Sequence, residues 1–108
     1  MPMIETYTNQ APSRSEVDAL QGATLIEFGT NWCGHCSAAQ RHLALAFDDH
    51  PDLRHLKIED GPGRKLGRSF KVKLWPTLIF MKDGEEVERL VRPTDVEPIR
   101  QAMNRIDP

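Results

Sequence analysis

Cysteine is scarce in this chain: two in 108 residues, beside one tyrosine and two tryptophans. Two cysteines cannot build the dense disulfide framework of a small secreted scaffold. They also fall short of a closed zinc site, which takes four ligands. No second Cys-x-x-Cys is present, and His50 and His55 straddle Pro51 rather than standing on one helix face. No metal is therefore expected. Long apolar runs are missing too; none approaches the ~20 residues of a membrane-spanning helix. An excess of one charge is missing as well. The 14 Lys and Arg against 16 Asp and Glu leave a net charge of −2, which argues against nucleic acid or an anionic membrane as the main partner. The N-terminal stretch Met1-Pro-Met-Ile-Glu-Thr-Tyr7 has neither the basic start nor the apolar core of a signal peptide. A cytoplasmic protein is expected, with the periplasm or another oxidising compartment as the alternative if a signal was removed. The length fits one domain over residues 1–108, and nothing demands more than a monomer.

The two cysteines that are present stand together, in Trp32-Cys33-Gly34-His35-Cys36. Positions i and i+3 share a helix face, so the sulfurs can meet without moving the backbone. Before them, Ala23 to Phe28 is apolar and β-prone; after them, Ser37 to Phe47 is a good helix former. The pair thus lies where a strand hands over to a helix. A thiolate is the attacking species, and a helix N-terminus or a nearby cation lowers a thiol from its free value of ~8.5. Cys33, at the cap or first turn, is the expected nucleophile, and Cys36, one turn deeper, the resolving thiol. Gly34 lets a partner backbone come close. His35, when protonated, is expected to stabilise the thiolate and so make the disulfide more oxidising. Half a zinc site and two inert buried cysteines are the competing readings; the strand-to-helix context weighs against both.

Along the chain, Met3–Thr8 reads as a short edge strand. Ser13-Arg14-Ser15-Glu16 is a capping box opening a helix to about Gln21, which Gly22 ends. Ala23–Gly29 reads as a central strand covered on both faces. A long helix from Cys33 to about Asp49, with Ala39, Leu43, Ala46 and Phe47 on one side, stops at Pro51. Leu53–Glu59 is the next strand. A Gly61-Pro62-Gly63 break precedes a short basic helix over Arg64–Phe70. Pro76–Met81 and Glu85–Val91 form a hairpin across Lys82-Asp83-Gly84, with Val87 and Leu90-Val91 as inward candidates. Asp95 caps a final helix to about Ile106, because Pro98 suits only a first turn. The order predicts a mixed sheet with helices on both faces.

Three other groups bear on the site. Glu27 lies on the central strand between Ile26 and Phe28, so it is expected beneath the Cys33 turn. Buried and unpaired, it would have a raised pKa and could take or return the Cys36 proton; a strand-edge glutamate reaching solvent is the bland alternative. Trp32 is expected to pack beside the sulfurs and shield them, or else to be a plain core residue. Trp75-Pro76-Thr77 opens a strand, where proline is tolerated, and could present the Trp75 backbone to an extended substrate. On the residues alone an ordinary trans Trp75–Pro76 bond is expected. His42 reads as a surface or packing residue, and Lys71 and Lys73 as a solvated face.

Together, Leu25-Ile26-Glu27-Phe28, Trp32-Cys33-Gly34-His35-Cys36, Trp75-Pro76-Thr77-Leu78-Ile79-Phe80 and Lys82-Asp83-Gly84 resemble the thioredoxin family, in order, over roughly residues 23–91. The resemblance implies a thioredoxin fold, a three-layer α/β/α arrangement with a central mixed β-sheet. It also implies a cis peptide before Pro76, Cys33 as nucleophile, Cys36 as resolver and Glu27 as the buried carboxylate. There are departures. The Gly34-His35 centre and Glu27 are similar to protein disulfide isomerase domains, where typical thioredoxins carry Gly-Pro and Asp. Trp75 is larger than the usual residue, Arg92-Pro93 stands where a glycine is usual, and His55 replaces a lysine that commonly neighbours the carboxylate. Trp75, Pro76, Thr77 and Arg92 are the substrate-facing candidates.

The expected function is a thiol–disulfide oxidoreductase that reduces or exchanges protein disulfides through the Cys33/Cys36 couple. It needs no bound cofactor and has a reductase or glutathione as electron partner. A redox-gated adaptor, docking through Trp32, Trp75 and Arg92 with little turnover, is the alternative.

Overall fold

In the computed structural model, residues 3–108 are described; Met1 and Pro2, part of the N-terminal stretch read above, lie outside them. The elements run α1 (Arg14–Asp18), β1 (Ala23–Gly29), α2 (Gly34–Phe47), β2 (Arg54–Glu59), α3 (Lys65–Ser69), β3 (Thr77–Lys82), β4 (Glu85–Val91) and α4 (Val96–Ile106). The sheet order is β2-β1-β3-β4. β1 and β2 are parallel, joined by the α2 crossover, and the other two pairings are antiparallel. This is the mixed sheet expected.

Strand alternation sorts the core into two layers. Successive side chains of a strand point to opposite faces. Leu25, Leu78 and Phe80 therefore pack with Leu43, Phe47, Ile99 and Met103 of α2 and α4. Ile26, Phe28, Ile79 and Met81 pack on the other face with Val17, Leu66 and Phe70, from α1 and the α3 segment. Glu27 shares the parity of Leu25 and so points toward α2. That parity places a carboxylate under the start of the helix that carries the cysteines.

Local chemistry accounts for most boundaries. Ser13 Oγ accepts the Glu16 N–H at 3.1 Å while Glu16 takes the Ser13 N–H at 2.9 Å, completing the capping box. The helix it opens is shorter than expected, ending at Asp18. The β3–β4 hairpin turns through Asp83 and Gly84, both at positive φ (50° and 83°), the pattern of a type I′ turn. A Cβ on Gly84 would meet the Asp18 carbonyl oxygen at 2.0 Å, so only glycine fits there.

Two expectations are corrected. Met3–Thr8 forms no strand; the segment contributes a single parallel bridge, Thr8 to Ile58 at the outer edge of β2. Val87 is not inward. The β3–β4 register slips between Phe80 and Met81, pairing Phe80 with Glu88 and Met81 with Glu86. Val87 is the extra residue of that bulge, left exposed. Leu90, opposite Leu78, does reach the α2–α4 layer, whereas Val91 is exposed.

Leu43 is fully buried between the sheet and α4. Leu43→Ala is expected to lower stability by about 2–5 kcal/mol through lost burial and a cavity, read from urea unfolding with tryptophan fluorescence.

Candidate active site

Cys33 caps α2. Its backbone is extended (φ −101°, ψ 120°), and its Sγ accepts the Cys36 N–H at 3.2 Å. The sulfur thus takes the place of the serine or aspartate oxygen of an ordinary N-cap. An anion there faces unpaired N–H groups and the positive end of the helix dipole. Both thiols are free; Cys33 is half-buried and Cys36 buried. Burial, and then the hydrogen bond with Cys33, push the Cys36 thiol up to about 11. The division into an accessible sulfur and a protonated, sequestered one follows from position on the first turn. A Cβ on Gly34 would meet nothing within 4 Å, so the space before the pair is open. Gly29 is the opposite case. A Cβ there would lie 2.5 Å from Cys36 Sγ and 2.6 Å from the Tyr7 hydroxyl oxygen; its absence lets both atoms settle against the strand.

Beneath the cysteines, Glu27 is fully buried but not unpaired, which corrects one expectation. Its Oε2 accepts the Tyr7 hydroxyl at 2.6 Å and the Gln40 side-chain amide at 3.0 Å. Lys57 Nζ lies 3.6 Å from the same oxygen. His55 Nε2 lies 2.9 Å from Oε1. His55 Nδ1 accepts the Ile4 N–H at 2.9 Å, so the ring proton is on Nε2 and points at the carboxylate. Burial would raise Glu27, but the His55 hydrogen bond, the charge of Lys57 and the Tyr7 hydroxyl outweigh it and hold the carboxyl below its ordinary value. It is an ionised acceptor, not the protonated acid a lone buried carboxyl would be. His55 does not replace the lysine beside the carboxylate: Lys57 stands directly opposite Glu27 in the β1–β2 register.

Tyr7, Gln40 and Lys57 were not singled out by the sequence reading. Gln40 follows Cys36 by four residues and so shares its helix face; its amide also donates to the Cys36 carbonyl at 2.7 Å, and its oxygen accepts from Lys57 Nζ. His55 and Lys57 alternate with Leu56 and Ile58, a period-two signal that places both on the α2 face. Tyr7 left no such signal, because a single bridge holds its segment. Its position is set by a reciprocal pair with Asn31: Tyr7 N–H to Asn31 Oδ1 at 2.9 Å and Asn31 Nδ2 to the Tyr7 carbonyl at 3.3 Å. Its hydroxyl donates to Glu27 and settles beside Cys36 Sγ against Gly29, and burial followed by the Glu27 charge raises it far above an ordinary phenol.

The Trp75–Pro76 bond is cis, as the resemblance implied and against the expectation from the residues alone. The Trp75 indole N–H donates to Asp60 Oδ2 at 2.9 Å. Arg92, at φ +51°, donates its backbone N–H to the Pro76 carbonyl at 2.9 Å and its Nε to the Trp75 carbonyl at 2.8 Å. A Trp75 carbonyl that could pair with a substrate is therefore occupied by this chain's own guanidinium. Thr77 is buried, and its hydroxyl donates to the Leu74 carbonyl at 2.6 Å; its side chain braces the turn and does not face a substrate. Trp32 is 73 % exposed, so it is not a core residue and stands in solvent beside the Cys33 turn. His35 and His42 line a small cavity of about 120 Å³ with Arg92 and Pro93. Among the described residues no cluster of three His, Cys, Asp or Glu could hold a metal ion.

A helix-capping thiol, a buried partner thiol and an ionised carboxylate below them make up a thiol–disulfide oxidoreductase site. A thioredoxin family model matches residues 5–105, and the chain belongs to the thioredoxin family. It is similar to thioredoxin 2 from Pseudomonas aeruginosa PAO1, solved in its reduced form, with 56% identity over 94% of each chain and a TM-score of 0.85. It is also similar to the thioredoxin of Chlamydia trachomatis, at 31% identity over 78% of this chain and 82% of that protein. Thioredoxin-2 of Pyricularia oryzae is 28% identical over 80% of this chain, which spans about half of that longer protein (52%). Members of the family are disulfide oxidoreductases and typically carry no cofactor.

The lowered Glu27 value sets a pH dependence. A carboxylate whose folded-state pKa is depressed adds stability that is complete above its unfolded value of ~4.3 and is lost as pH falls through the folded value. Wild-type stability in urea is expected to drop below about pH 4.3, and Glu27→Gln to flatten that slope. Equal slopes would mean that other carboxylates carry the acid sensitivity.

Proposed function

We propose that this chain reduces protein disulfides, with Cys33 as the attacking sulfur, Cys36 as the resolving thiol and Glu27 as the base. The observation that carries the reading is the arrangement of Cys36 Sγ, the Tyr7 hydroxyl beside it and Glu27, which that hydroxyl contacts, set directly behind a helix-capping Cys33. Cys33 Sγ attacks one sulfur of a client disulfide, forming a Cys33–client bond while the other client sulfur leaves as a thiolate. Cys36 Sγ then attacks Cys33 Sγ; the Cys33–Cys36 bond forms and the second client sulfur departs. Two electrons pass to the client. The Cys36 proton has to go somewhere; its thiol is pushed up to about 11 while the carboxyl is held below its ordinary value. A free Cys36 thiolate is therefore not formed first; the proton leaves as the sulfur–sulfur bond forms, passing to the Tyr7 oxygen while Tyr7 gives its own to Glu27.

Gly34 and the cis Pro76 turn frame the client, with Trp75, Arg92 and the exposed Trp32 as its contacts. His35, beside Cys33, tunes the couple. The redox equivalents reside on the sulfurs themselves, so no bound cofactor is required, and a reductase or glutathione restores the dithiol. The reading places this work in a reducing cytoplasm, with an oxidising compartment such as the periplasm as the alternative. Its support is the sparse use of cysteine, one Cys-x-x-Cys pair with none left over for structural bridges.

Cys36→Ser is expected to accumulate a mixed disulfide through Cys33 with insulin chains, visible on non-reducing gels; no adduct would count against the exchange step. A redox-gated adaptor would instead show no catalysed insulin reduction by the wild-type protein. Tyr7→Phe is expected to slow insulin reduction by about tenfold or more and to make the rate climb with pH, because hydroxide must then take the Cys36 proton. A variant that is merely less well packed would keep the wild-type pH profile. Equilibration with glutathione checks direction: a reductant lies near about −270 mV, the thioredoxin value, and an oxidant or isomerase near about −180 mV.

A further inference from the structure

The end of the sheet that carries Cys33 also carries a basic groove. Asp60, the residue after β2, donates its N–H to the Gly29 carbonyl at 2.9 Å. The loop following β2 therefore starts beside the strand that leads into Trp32 and Cys33, at the carboxyl ends of the two parallel strands, where α/β folds bind their ligands. From there a groove of about 480 Å³ runs between Arg64, Arg68, Lys71, Lys73 and Trp75.

Asp60 is the one carboxylate among the groove's lining residues, against four cations, and it keeps its charge. Asp60 Oδ2 holds the Trp75 indole, and Glu59 pairs with Arg64. Among the described residues, Arg68, Lys71 and Lys73 make no ion pair. All three are exposed. Composition does not explain this cluster, since the chain as a whole is net negative; the positive charge is segregated to the rim of the redox site. Lys71 sits at φ +58°, a backbone conformation that L residues rarely adopt. It is pinned there by hydrogen bonds from its own N–H to the Arg68 carbonyl and from the Val72 N–H to the Gly67 carbonyl, each 3.0 Å. Exposed apolar side chains adjoin the groove: Leu74 is 48 % exposed between Lys73 and Trp75, and Trp32 flanks Cys33. Arg92, whose Nε donates to the Trp75 carbonyl, adds a further cation beside Trp75. An apolar anchor with a charged rim is the anatomy of a protein-docking surface.

We propose that this groove selects the client: it takes protein disulfides flanked by acidic residues, whose carboxylates lie along Arg68, Lys71 and Lys73 while Leu74 and Trp32 take neighbouring apolar side chains. The inference rests on the oxidoreductase reading above and names the substrate class of that same site. A groove that is basic along its length and lined by Val72 and Trp75 as well, with Leu74 exposed beside it, fits a peptide better than a bare anion. Charge of this kind acts mainly on encounter and on rejection of the wrong partner, and it weakens with salt.

The test uses pre-reduced protein and three disulfide-bonded peptides that differ only in flanking residues, Glu, Gln or Lys. Second-order rate constants are followed by stopped-flow tryptophan fluorescence in low and high salt. The Glu peptide is expected to react at least about fivefold faster than the Lys peptide at ~10 mM salt, with the ratio collapsing toward one near ~1 M. In Arg68→Glu/Lys73→Glu the order is expected to invert; Arg68→Gln/Lys73→Gln, a milder change at two exposed positions, is expected to abolish the preference. A Glu-to-Lys ratio near one at low salt overturns the inference, as does a ratio that survives in the neutralised variant. Failure of the wild-type protein to reduce the uncharged Gln peptide would instead overturn the oxidoreductase reading itself.

Discussion

A single ionised carboxylate in the interior organises the site. Glu27 has no exposure to solvent, and an isolated charge so placed would be too costly to keep. It persists because four side chains from three separate parts of the chain meet it: Tyr7 from the N-terminal segment, Gln40 from α2, and His55 and Lys57 from β2. Removing a partner from such a buried pair costs about 3–5 kcal/mol, against roughly 0–1 kcal/mol for an exposed ion pair such as Arg14–Asp18. The same contacts tie the N-terminal segment to β2, β2 to β1, and the sheet to the helix that carries the cysteines. Stability and chemistry draw on one cluster.

The cluster also explains how one turn of helix presents two unlike thiols. Cys33 ends in the N-cap position, open to solvent and facing unpaired N–H groups, while Cys36 is carried one turn inward against Gly29 and Tyr7. The asymmetry is geometric before it is electrostatic. Around it the molecule departs from a generic disulfide site at its rim: Arg92 occupies the Trp75 carbonyl, Trp32 stands out in solvent, and positive charge gathers along the loop after β2. The centre of the site holds what the exchange requires; the rim holds what distinguishes one client from another.

Much of this was legible in the sequence because it is encoded locally. The Cys-x-x-Cys spacing, the capping box at Ser13, the Asp83-Gly84 turn and the helix stop before Pro51 each depend on a few adjacent residues. The nearly continuous apolar run of Leu25, Ile26 and Phe28 was readable as a strand covered on both faces. The readings that failed depended on partners distant in sequence. Glu27 was expected to be unpaired because its partners His55 and Lys57 stand on another strand, distant in sequence. Val87 was expected inward because a regular register was assumed, and one extra residue in β4 turns it out. Trp32, with a plain core residue as one of its two readings, stands 73 % exposed instead.

By itself, then, the sequence determined the class of chemistry, the strand-to-helix placement of the cysteines and the family, because side-chain type and near-neighbour spacing suffice for these. The tertiary structure alone decided the ionisation of Glu27, the part played by Tyr7, the occupied Trp75 carbonyl and the basic groove. Each arises where the sheet brings remote segments within a hydrogen bond of one another, and no local pattern records a contact of that range.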